Sequence, residues 1–328
     1  MVLFWISVLA FSILLYVLLD GFDFGVGMLF GLARDEDRRR QMMGSVAPVW
    51  DGNETWLIVS GVVLWGAFPI VYATLFSAFY LPLIFMLAGL ILRGVAFEFR
   101  ERALHFRIVW GLAFCGGSLL AAFMQGVMVG ALVEGLPVSH GAYAGSDFSW
   151  LSPFAVLCGV GLCLGYSLLG ACWLVRKCVG ETQSWAYPLI ARLSAVLGML
   201  LVLVFVLALA LNLRVMQRWL ERPYLFVFPV IGVVAAIVLS LSVRRRHVRA
   251  PGYAVAATFV AAFATFAITF WPYMVPFSIT VDQAAAPHAS LAFMFWGEGL
   301  FVLPLMLIYT IIGYRVFRSS DGTNSSQY

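Results

Sequence analysis

Long apolar runs alternate with short polar stretches along almost the whole chain. A helix that crosses the hydrocarbon core of a bilayer needs about 20 mostly apolar residues. Segments of that length lie at about residues 2 to 32, 47 to 72, 75 to 97, 108 to 134, 152 to 176, 187 to 213, 224 to 243, 252 to 273 and 290 to 317. The pattern predicts nine transmembrane helices, the second and third forming a tight antiparallel hairpin near Tyr72 to Leu75.

Basic residues gather in alternate loops of this predicted topology. Lys and Arg accumulate on the cytoplasmic side of membrane proteins, so their placement tests the helix count. Nine helices put sixteen basic residues on one side and three, Arg214, Arg218 and Arg222, on the other. The asymmetry predicts a periplasmic N-terminus and a cytoplasmic C-terminus. The remaining basic residue, Arg93, falls within the third predicted helix.

The composition supports a membrane protein and excludes other classes. Of 328 residues, 63% are hydrophobic and 11% charged, and the mean hydropathy is +0.97, which lies outside the range of soluble, disordered and disulfide-framework proteins. The net charge of +4 gives no indication of nucleic acid binding. The five cysteines lack CxxC spacing and predict neither disulfides nor a metal site. The first apolar run lacks a basic n-region, so we interpret it as a spanning helix rather than a cleaved signal.

No soluble domain is evident between the predicted helices, because every loop is short. We therefore predict one polytopic membrane domain over residues 1–318 and a short polar cytoplasmic tail over 319–328. Any chemistry would then reside in the membrane, where an ionisable side chain costs several kcal/mol unless it is paired or hydrated. Such residues are the default candidates for a functional site.

Two aspartates, Asp20 and Asp23, lie near the inner end of the first predicted helix. Their spacing of three places them on one helix face. They could be interfacial carboxylates in water, but Gly27 and Gly31 favour close helix contact and therefore burial.

A second acidic pair, Asp51 and Glu54, opens the second predicted helix just after Pro48. Acids near a helix N-terminus are stabilised by the macrodipole, which is a sufficient structural explanation. Both nevertheless enter from the same side of the membrane as Asp20 and Asp23. Four carboxylates at one membrane edge could relay protons.

The third segment carries Arg93, Phe97 and Arg100 on one stripe at the inner end of the third predicted helix. Arg93 could snorkel to lipid headgroups, but the four carboxylates are the nearest counter-charges. We assign Arg93, Glu98 and Arg100 to the charge balance of the cluster. Glu98 also has the spacing for a solvated pair with Arg102.

Together these segments resemble subunit II of the cytochrome bd-type quinol oxidases. The resemblance covers the first 105 residues specifically and rests on four stretches: Asp20 to Gly27 (DGFDFGVG), Pro48 to Leu57 (PVWDGNETWL), Ser77 to Tyr80 (SAFY) and Arg93 to Arg100. Beyond them it rests on the helix count and on weaker stretches at 271–276 and 278–280. The run from Arg93 to Glu98 is similar to the cyanide-insensitive branch of the family.

The resemblance implies a terminal respiratory oxidase in the bacterial cytoplasmic (inner) membrane. Subunit I would carry haems b and d and the quinol site, while subunit II, two four-helix bundles plus a peripheral helix, would carry no cofactor. It also leaves open a small single-helix accessory subunit and a quinone or lipid held between helices. The partners implied are therefore subunit I, membrane lipids and, through subunit I, quinol.

The residues themselves support a chain without haem. An axial ligand must point into a bundle, yet all four histidines fall in loops or at predicted helix ends: His105, His140, His247 and His288. Ligation by Met or Cys stays open, because several lie within predicted spans: Met124, Met128, Met199 and Cys163. Methionines in such positions are mainly packing residues.

Three polar residues stand in apolar surroundings toward the outer half. Gln125 and Asn212 are explained by hydrogen bonds between helices. Glu298, flanked by two glycines, is an ambiguous site candidate.

Three functions remain open at this point. The chain is a cofactor-free subunit of a quinol oxidase with a proton path, a proton-coupled transporter, or a purely structural assembly subunit. Corresponding broken helices in two halves, which are typical of transporters, are not evident in the sequence.

Overall fold

The computed structural model describes residues 1–100, 102–103, 105–139, 141–211 and 214–316, and they are almost entirely helical. The helices are α1 (Val2–Phe30), α2 (Glu36–Val46), α3 (Trp50–Ala67), α4 (Pro69–Ala78), α5 (Tyr80–Arg100), α6 (Arg107–Glu134), α7 (Pro153–Lys177), α8 (Gly180–Ala210), α9 (Arg214–Glu221), α10 (Val227–Arg244), α11 (Ala250–Phe270), α12 (Val281–Ala284), α13 (His288–Met294) and α14 (Leu303–Val316). A 3₁₀ turn (Pro223–Phe226) precedes α10, and a π-helical stretch (Phe295–Val302) joins α13 to α14.

Two short hairpins interrupt the helices. β1 (Val138–Ser139) pairs antiparallel with β2 (Ala142–Tyr143), and β3 (Tyr273–Val275) pairs antiparallel with β4 (Ile279–Thr280). Each is too short to build a domain of its own. The predicted division into one membrane domain and a tail stays a prediction, and the tail at 319–328 lies outside the described residues.

Eight helices of the described part of the chain are long and apolar enough to cross a membrane. They are Val2–Phe30, Tyr80–Arg100, Arg107–Glu134, Pro153–Lys177, Gly180–Ala210, Pro223–Arg244, Ala250–Phe270 and His288–Val316. Each overlaps a predicted segment, so the class of all-α integral membrane protein is confirmed. The count of nine spans and the sidedness of the termini stay predictions.

The structure differs from the prediction at the second predicted span, 47 to 72, which is not one continuous helix. α3 ends at Ala67, and the backbone leaves the helical region at Phe68 (φ −135°, ψ 58°). Pro69, which lacks an N–H, then takes the first position of α4. The predicted hairpin at Tyr72 to Leu75 is wrong, because these residues lie inside α4. The chain bends instead at Phe68 and Phe79.

α1 lies at the centre of the helix packing and contacts α3, α6 and α7. Glycines allow this: a Cβ on Gly25 would overlap the carbonyl oxygen of Tyr166, and one on Gly27 would overlap the side chain of Ser118. Gly31 lies against Cys115 in the same way. The close contact predicted from Gly27 and Gly31 is therefore present. It places the C-terminal half of α1 inside protein rather than against lipid.

The later helices pack against the earlier ones and against each other. α7 contacts α8, α10 contacts α11, and α13 and α14 lie against α3. Large apolar side chains on α8, α10 and α14 remain exposed, including Val202 (64%) and Leu305 (64%). Such faces suit lipid tails or another membrane subunit. The arrangement as two four-helix bundles plus a peripheral helix stays a prediction.

Candidate functional site

Arg93 is completely enclosed by the helix packing, with a side-chain exposure of 0%. Its Nη1 donates to Oδ1 of Asp20 at 2.6 Å, and its Nη2 lies 3.2 Å from Oδ2. This two-pronged contact is the geometry that binds guanidinium and carboxylate most strongly. The side chain points into the protein, so it does not snorkel to the membrane surface.

Glu54 is the second anion on Arg93. Nη2 of Arg93 donates to Oε2 of Glu54 at 3.0 Å, and the Glu54 side chain keeps 23% of its surface exposed. The guanidinium also lies over the ring of Phe24, 4.2 Å from the centroid. Side chains from α1, α3 and α5 therefore meet at one buried cation, and Glu54 connects it to the surface of the chain.

Asp23 joins the same site through an amide. It is fully buried and accepts a hydrogen bond from Nδ2 of Asn53 at 2.7 Å. The hydroxyl of Tyr314, from the last helix, donates to Oδ1 of Asn53 at 2.9 Å. We call Arg93, Asp20, Asp23, Asn53 and Glu54 the Arg93 cluster. Asn53 belongs to a stretch recognised in the sequence but received no role there.

A chain of polar side chains leads from this cluster along α1 to α6 and α7. The Tyr16 hydroxyl lies beside the carboxylate of Asp20. Nε2 of Gln125 donates to the Tyr16 oxygen at 2.9 Å, and the hydroxyl of Tyr166 donates to Oε1 of Gln125 at 3.0 Å. The Gln125 side chain thus makes the interhelical bonds expected of it. Neither tyrosine carried a signal in the sequence beyond lying in an apolar helix.

Asp51 does not join the cluster, contrary to the predicted adjacency. It lies in the first turn of α3, is exposed, and its carboxylate makes no hydrogen bond or ion pair within the described ranges. Asn53 faces α1, and two residues correspond to about 200° around a helix. Asp51 is therefore turned away from Asp23. It stays one turn from Glu54 on α3.

Arg100 forms a separate site two turns further along α5. Its Nη2 binds both oxygens of Glu36, at 2.8 Å and 3.0 Å. Glu36 opens α2, is partly exposed at 38%, and was not among the predicted site residues. Glu98 contributes to neither site. It lies 3.7 Å from Arg102 with both side chains mostly exposed, so its predicted share in the charge balance of the cluster is wrong.

Glu298 lies in the π-helical stretch between α13 and α14 and is half-buried. Its carboxylate has no hydrogen-bond or ion-pair partner among the side chains that the structure describes. The neighbouring Gly299 lies against Phe4 near the start of α1, whereas the Arg93 cluster meets α1 at Asp20 and Asp23. Glu298 therefore stays an isolated candidate. Asn212 lies outside the described residues.

Comparison with known proteins identifies the family of the chain. The family model described as cytochrome bd terminal oxidase subunit II matches residues 1–317. The chain belongs to this family. The resemblance inferred from the four sequence stretches is thereby confirmed, and the protein is a subunit of an oxidoreductase complex of the bacterial inner membrane. Assignment to the cyanide-insensitive branch stays a prediction.

Individual relatives agree with the family. "Cytochrome bd-I ubiquinol oxidase subunit 2" of Escherichia coli K12 is 31% identical over 90% of this chain and 88% of its own length. "Probable cytochrome oxidase subunit 2" of Haemophilus influenzae is 30% identical over 89% of this chain and 85% of its own. A chain of the bd oxidase from Geobacillus thermodenitrificans superposes with a TM-score of 0.74 over 95% of this chain and 98% of that one. Its sequence identity of 17% makes this a likeness of fold alone.

The described histidines are not placed to ligate a haem from within a membrane-spanning helix. His105 and His247 lie in loops and His288 opens α13, so none points into the helix packing from within a span, and His140 lies outside the described residues. Met199 is 66% exposed on α8. Among the described residues, no three His, Cys, Asp or Glu side chains are grouped to hold a metal ion. We therefore derive no step through a haem on this chain.

Proposed function

We propose that this chain is the haem-free subunit II of a bd-type quinol:oxygen oxidoreductase. In this role it stabilises a haem-bearing subunit I and supplies part of a proton path from the cytoplasm. The observation that carries the proposal is the Arg93 cluster, in which one buried guanidinium binds the carboxylates of Asp20 and Glu54, and Asp23 lies beside them. Glu54 reaches the surface of the chain. Ionisable groups inside a membrane are expensive and are typical of ion and proton pathways.

The chemistry of the reaction requires such a path. Reducing one O₂ to two waters takes four electrons and four protons, and quinol supplies the electrons. Protons cross apolar protein only along titratable groups or water within hydrogen-bonding reach. In the proposed order, Asp51 at the surface of α3 collects a proton, Glu54 one turn later receives it, and the buried carboxylates beyond Arg93 pass it inward.

The direction of the path follows from the proposed topology. The ends of α1 and α5 and the start of α3 lie on one side, and the basic residues of the alternating loops favour the cytoplasm for that side. The Arg93 cluster then opens toward the proton-supplying compartment. In this proposal the route continues into subunit I, where oxygen is reduced.

A partner is also favoured by the surface of the chain. Glu54 and the exposed Asp51 lie on α3, and α14 beside it presents large exposed apolar residues such as Leu305 and Ile312. A helix of subunit I packed here would cover apolar area and bring its own groups to the end of the proton path. Quinol would act through that partner, where we place the haems.

The proposal is tested by purifying the complex through a tag on this chain in mild detergent. We expect a second large membrane polypeptide and a haem spectrum that the isolated chain lacks. A stoichiometric haem on the isolated chain would overturn the haem-free assignment. Full function of the isolated chain in proton-coupled uptake would favour a transporter.

The path is tested with Glu54→Gln, which removes the titratable group and keeps the shape. Quinol-dependent oxygen consumption per haem should fall severalfold while haem content stays normal. Glu98→Gln is the matched control, because Glu98 is an exposed acid on the same side of the membrane that contacts only Arg102. Wild-type turnover in a correctly assembled Glu54→Gln complex would contradict the proton path through Glu54. It would favour a purely structural role for the chain.

A further inference from the structure

Asp20 and Asp23 lie one turn apart on α1 and are both fully buried, but their surroundings are unequal. Asp20 receives two N–H groups of Arg93, and the hydroxyl of Tyr16 lies beside it. Asp23 receives one amide N–H from Asn53, at 2.7 Å, and its other oxygen, Oδ1, is buried without a hydrogen-bond partner in the part of the chain that the structure describes. The charge of the Asp20 carboxylate is therefore compensated by its partners, and a charge on Asp23 would not be.

Counting charges leads to the same division. Among the described residues, Arg93 is the cation of the cluster, and its hydrogen bonds go to Asp20 and Glu54 but not to Asp23. The charged and titratable groups near Asp23 are Asp20 on α1, Glu54 on α3, Arg93 on α5 and Tyr314 on α14. A third buried anion beside two others would lack a counter-charge, which makes the neutral acid the favoured form of Asp23.

The hydrogen bonds around each aspartate have a fixed direction. A tyrosine hydroxyl has one proton to donate, and an amide has distinct donor and acceptor ends. Tyr314 donates to Oδ1 of Asn53, so the Nδ2 of Asn53 must face Asp23. Tyr166 donates to Oε1 of Gln125, whose Nε2 donates to Tyr16. Tyr16 is then left with its proton for Asp20.

We propose that Asp23 is the proton-holding carboxyl of the Arg93 cluster and that Asp20 is its permanent anion. Asn53 and Tyr314 are positioning residues for Asp23, and Tyr16, Gln125 and Tyr166 are positioning residues for Asp20. The meaning of this division for turnover rests on the proton path proposed above. A proton can be loaded on and removed from Asp23 while the pair of Asp20 and Arg93 stays intact.

The test is infrared spectroscopy of the purified oxidase that contains this chain, compared between H₂O and D₂O. A protonated carboxyl gives a C=O stretch that is separate from carboxylate bands and shifts on deuteration. We expect one such band of the wild type to be missing from Asp23→Asn and present in Asp20→Asn. A band lost in Asp20→Asn and kept in Asp23→Asn overturns the assignment.

If removing a charge prevents assembly of the oxidase, the assignment is tested with a variant that keeps all charges. Tyr314→Phe leaves every charge of the cluster in place and removes only the bond that orients Asn53. It should shift the frequency of the Asp23 band. Tyr187→Phe is the control, because Tyr187 donates to the backbone of Arg246 in a loop away from the cluster. An unshifted band in Tyr314→Phe overturns the positioning role.

Turnover per haem in the same samples separates this inference from the proton path. If Asp23→Asn loses the band and keeps wild-type turnover, the protonation state stands and the path through Asp23 fails. If turnover falls severalfold while every band of the wild type remains, the path stands and this inference fails.

Discussion

Arg93 and Arg100 lie two turns apart on α5, and each is bound by a carboxylate from another helix. Arg93 is sealed off with Asp20, both at 0% exposure, whereas Arg100 binds Glu36, which keeps 38% of its side chain in solvent. The attraction between opposite charges and the cost of removing them from water both grow as the surroundings become less polar. Two chemically similar pairs on one helix are therefore expected to respond very differently to the loss of a partner.

The largest effect is expected from Arg93→Leu. The change leaves Asp20 buried without its cation, and breaking a buried pair in this way costs about 3–5 kcal/mol. The oxidase should assemble in low yield and unfold at a lower temperature, measured as haem per purified chain and by thermal unfolding in detergent.

A double variant sharpens this expectation. Arg93→Leu with Asp20→Leu removes both buried charges, and an apolar pair of similar volume restores much of the lost stability in other proteins. Thermal stability of Arg93→Leu equal to that of the wild type would mean that the buried pair contributes nothing to folding, and the comparison with Arg100 would collapse.

A smaller loss, about 1 kcal/mol, is expected from Arg100→Leu. Glu36 is partly exposed, so water can solvate it after the arginine is gone, and partly exposed pairs are worth about 0–1 kcal/mol. Salt should weaken this pair and leave the one at Arg93 unchanged. The measurement is thermal unfolding of wild type and variant at low and high ionic strength. A loss as large as that of Arg93→Leu would show that exposure of the carboxylate does not set the cost.

The reactivity of the Cys178 thiol is a more local measure of the Arg100–Glu36 site than thermal unfolding. Cys178 lies between α7 and α8, and its Sγ is 3.9 Å from the backbone oxygen of Gln41 on α2, the helix that also carries Glu36. Burial disfavours the thiolate and raises the pKa of Cys178 to about 12. Since the thiolate is the reactive form, alkylation should be slow near pH 8.

The Arg100→Leu variant should make this thiol more reactive. If Arg100 ties down α2, loosening that helix exposes Cys178, its pKa falls toward about 8.5, and alkylation near pH 8 speeds up. Rates are read by mass spectrometry of the Cys178 peptide, with Arg102→Leu as control because Arg102 pairs only with the exposed Glu98. Equal rates in all three proteins would show that Arg100 does not hold α2 in place.

The two arginine sites also show what the sequence could predict. Arg93 stood out because a cation deep in an apolar helix needs a counter-charge, and acids were present at matching depth in two neighbouring helices. Glu36 did not stand out, because an acid among the charges of a polar loop resembles any solvated residue. A charge deep in an apolar segment indicates that a partner must be present, whereas a charge in a polar surface run does not.

The sequence pattern could not predict hydrogen bonds between side chains on helices that are distant in sequence. Tyr314 binds Asn53 across 261 residues of chain, and Gln125 binds Tyr16 across 109. Spacing along one helix says which residues share a face but not which other helix that face meets. The same limit explains why Asp51 was grouped with Asp23, although the rotation of α3 separates them.

The smallest effect on stability is expected from Asp51→Asn, and it tests whether the proton path begins outside the cluster. Asp51 is exposed and makes no side-chain contact in the described structure, and Asn near a helix N-terminus is about as favourable, so stability should change by only a few tenths of a kcal/mol. Its place one turn before Glu54 allows it to deliver protons to the carboxylate that contacts Arg93. If it does so, quinol-dependent oxygen consumption per haem falls severalfold while haem content and thermal stability stay normal. Asp37→Asn, which removes an exposed acid that pairs with Arg40 in the first turn of α2, controls for a general loss of surface charge. Wild-type turnover in an assembled Asp51→Asn oxidase would place the start of the path at Glu54 itself, since Glu54 already reaches the surface of the chain.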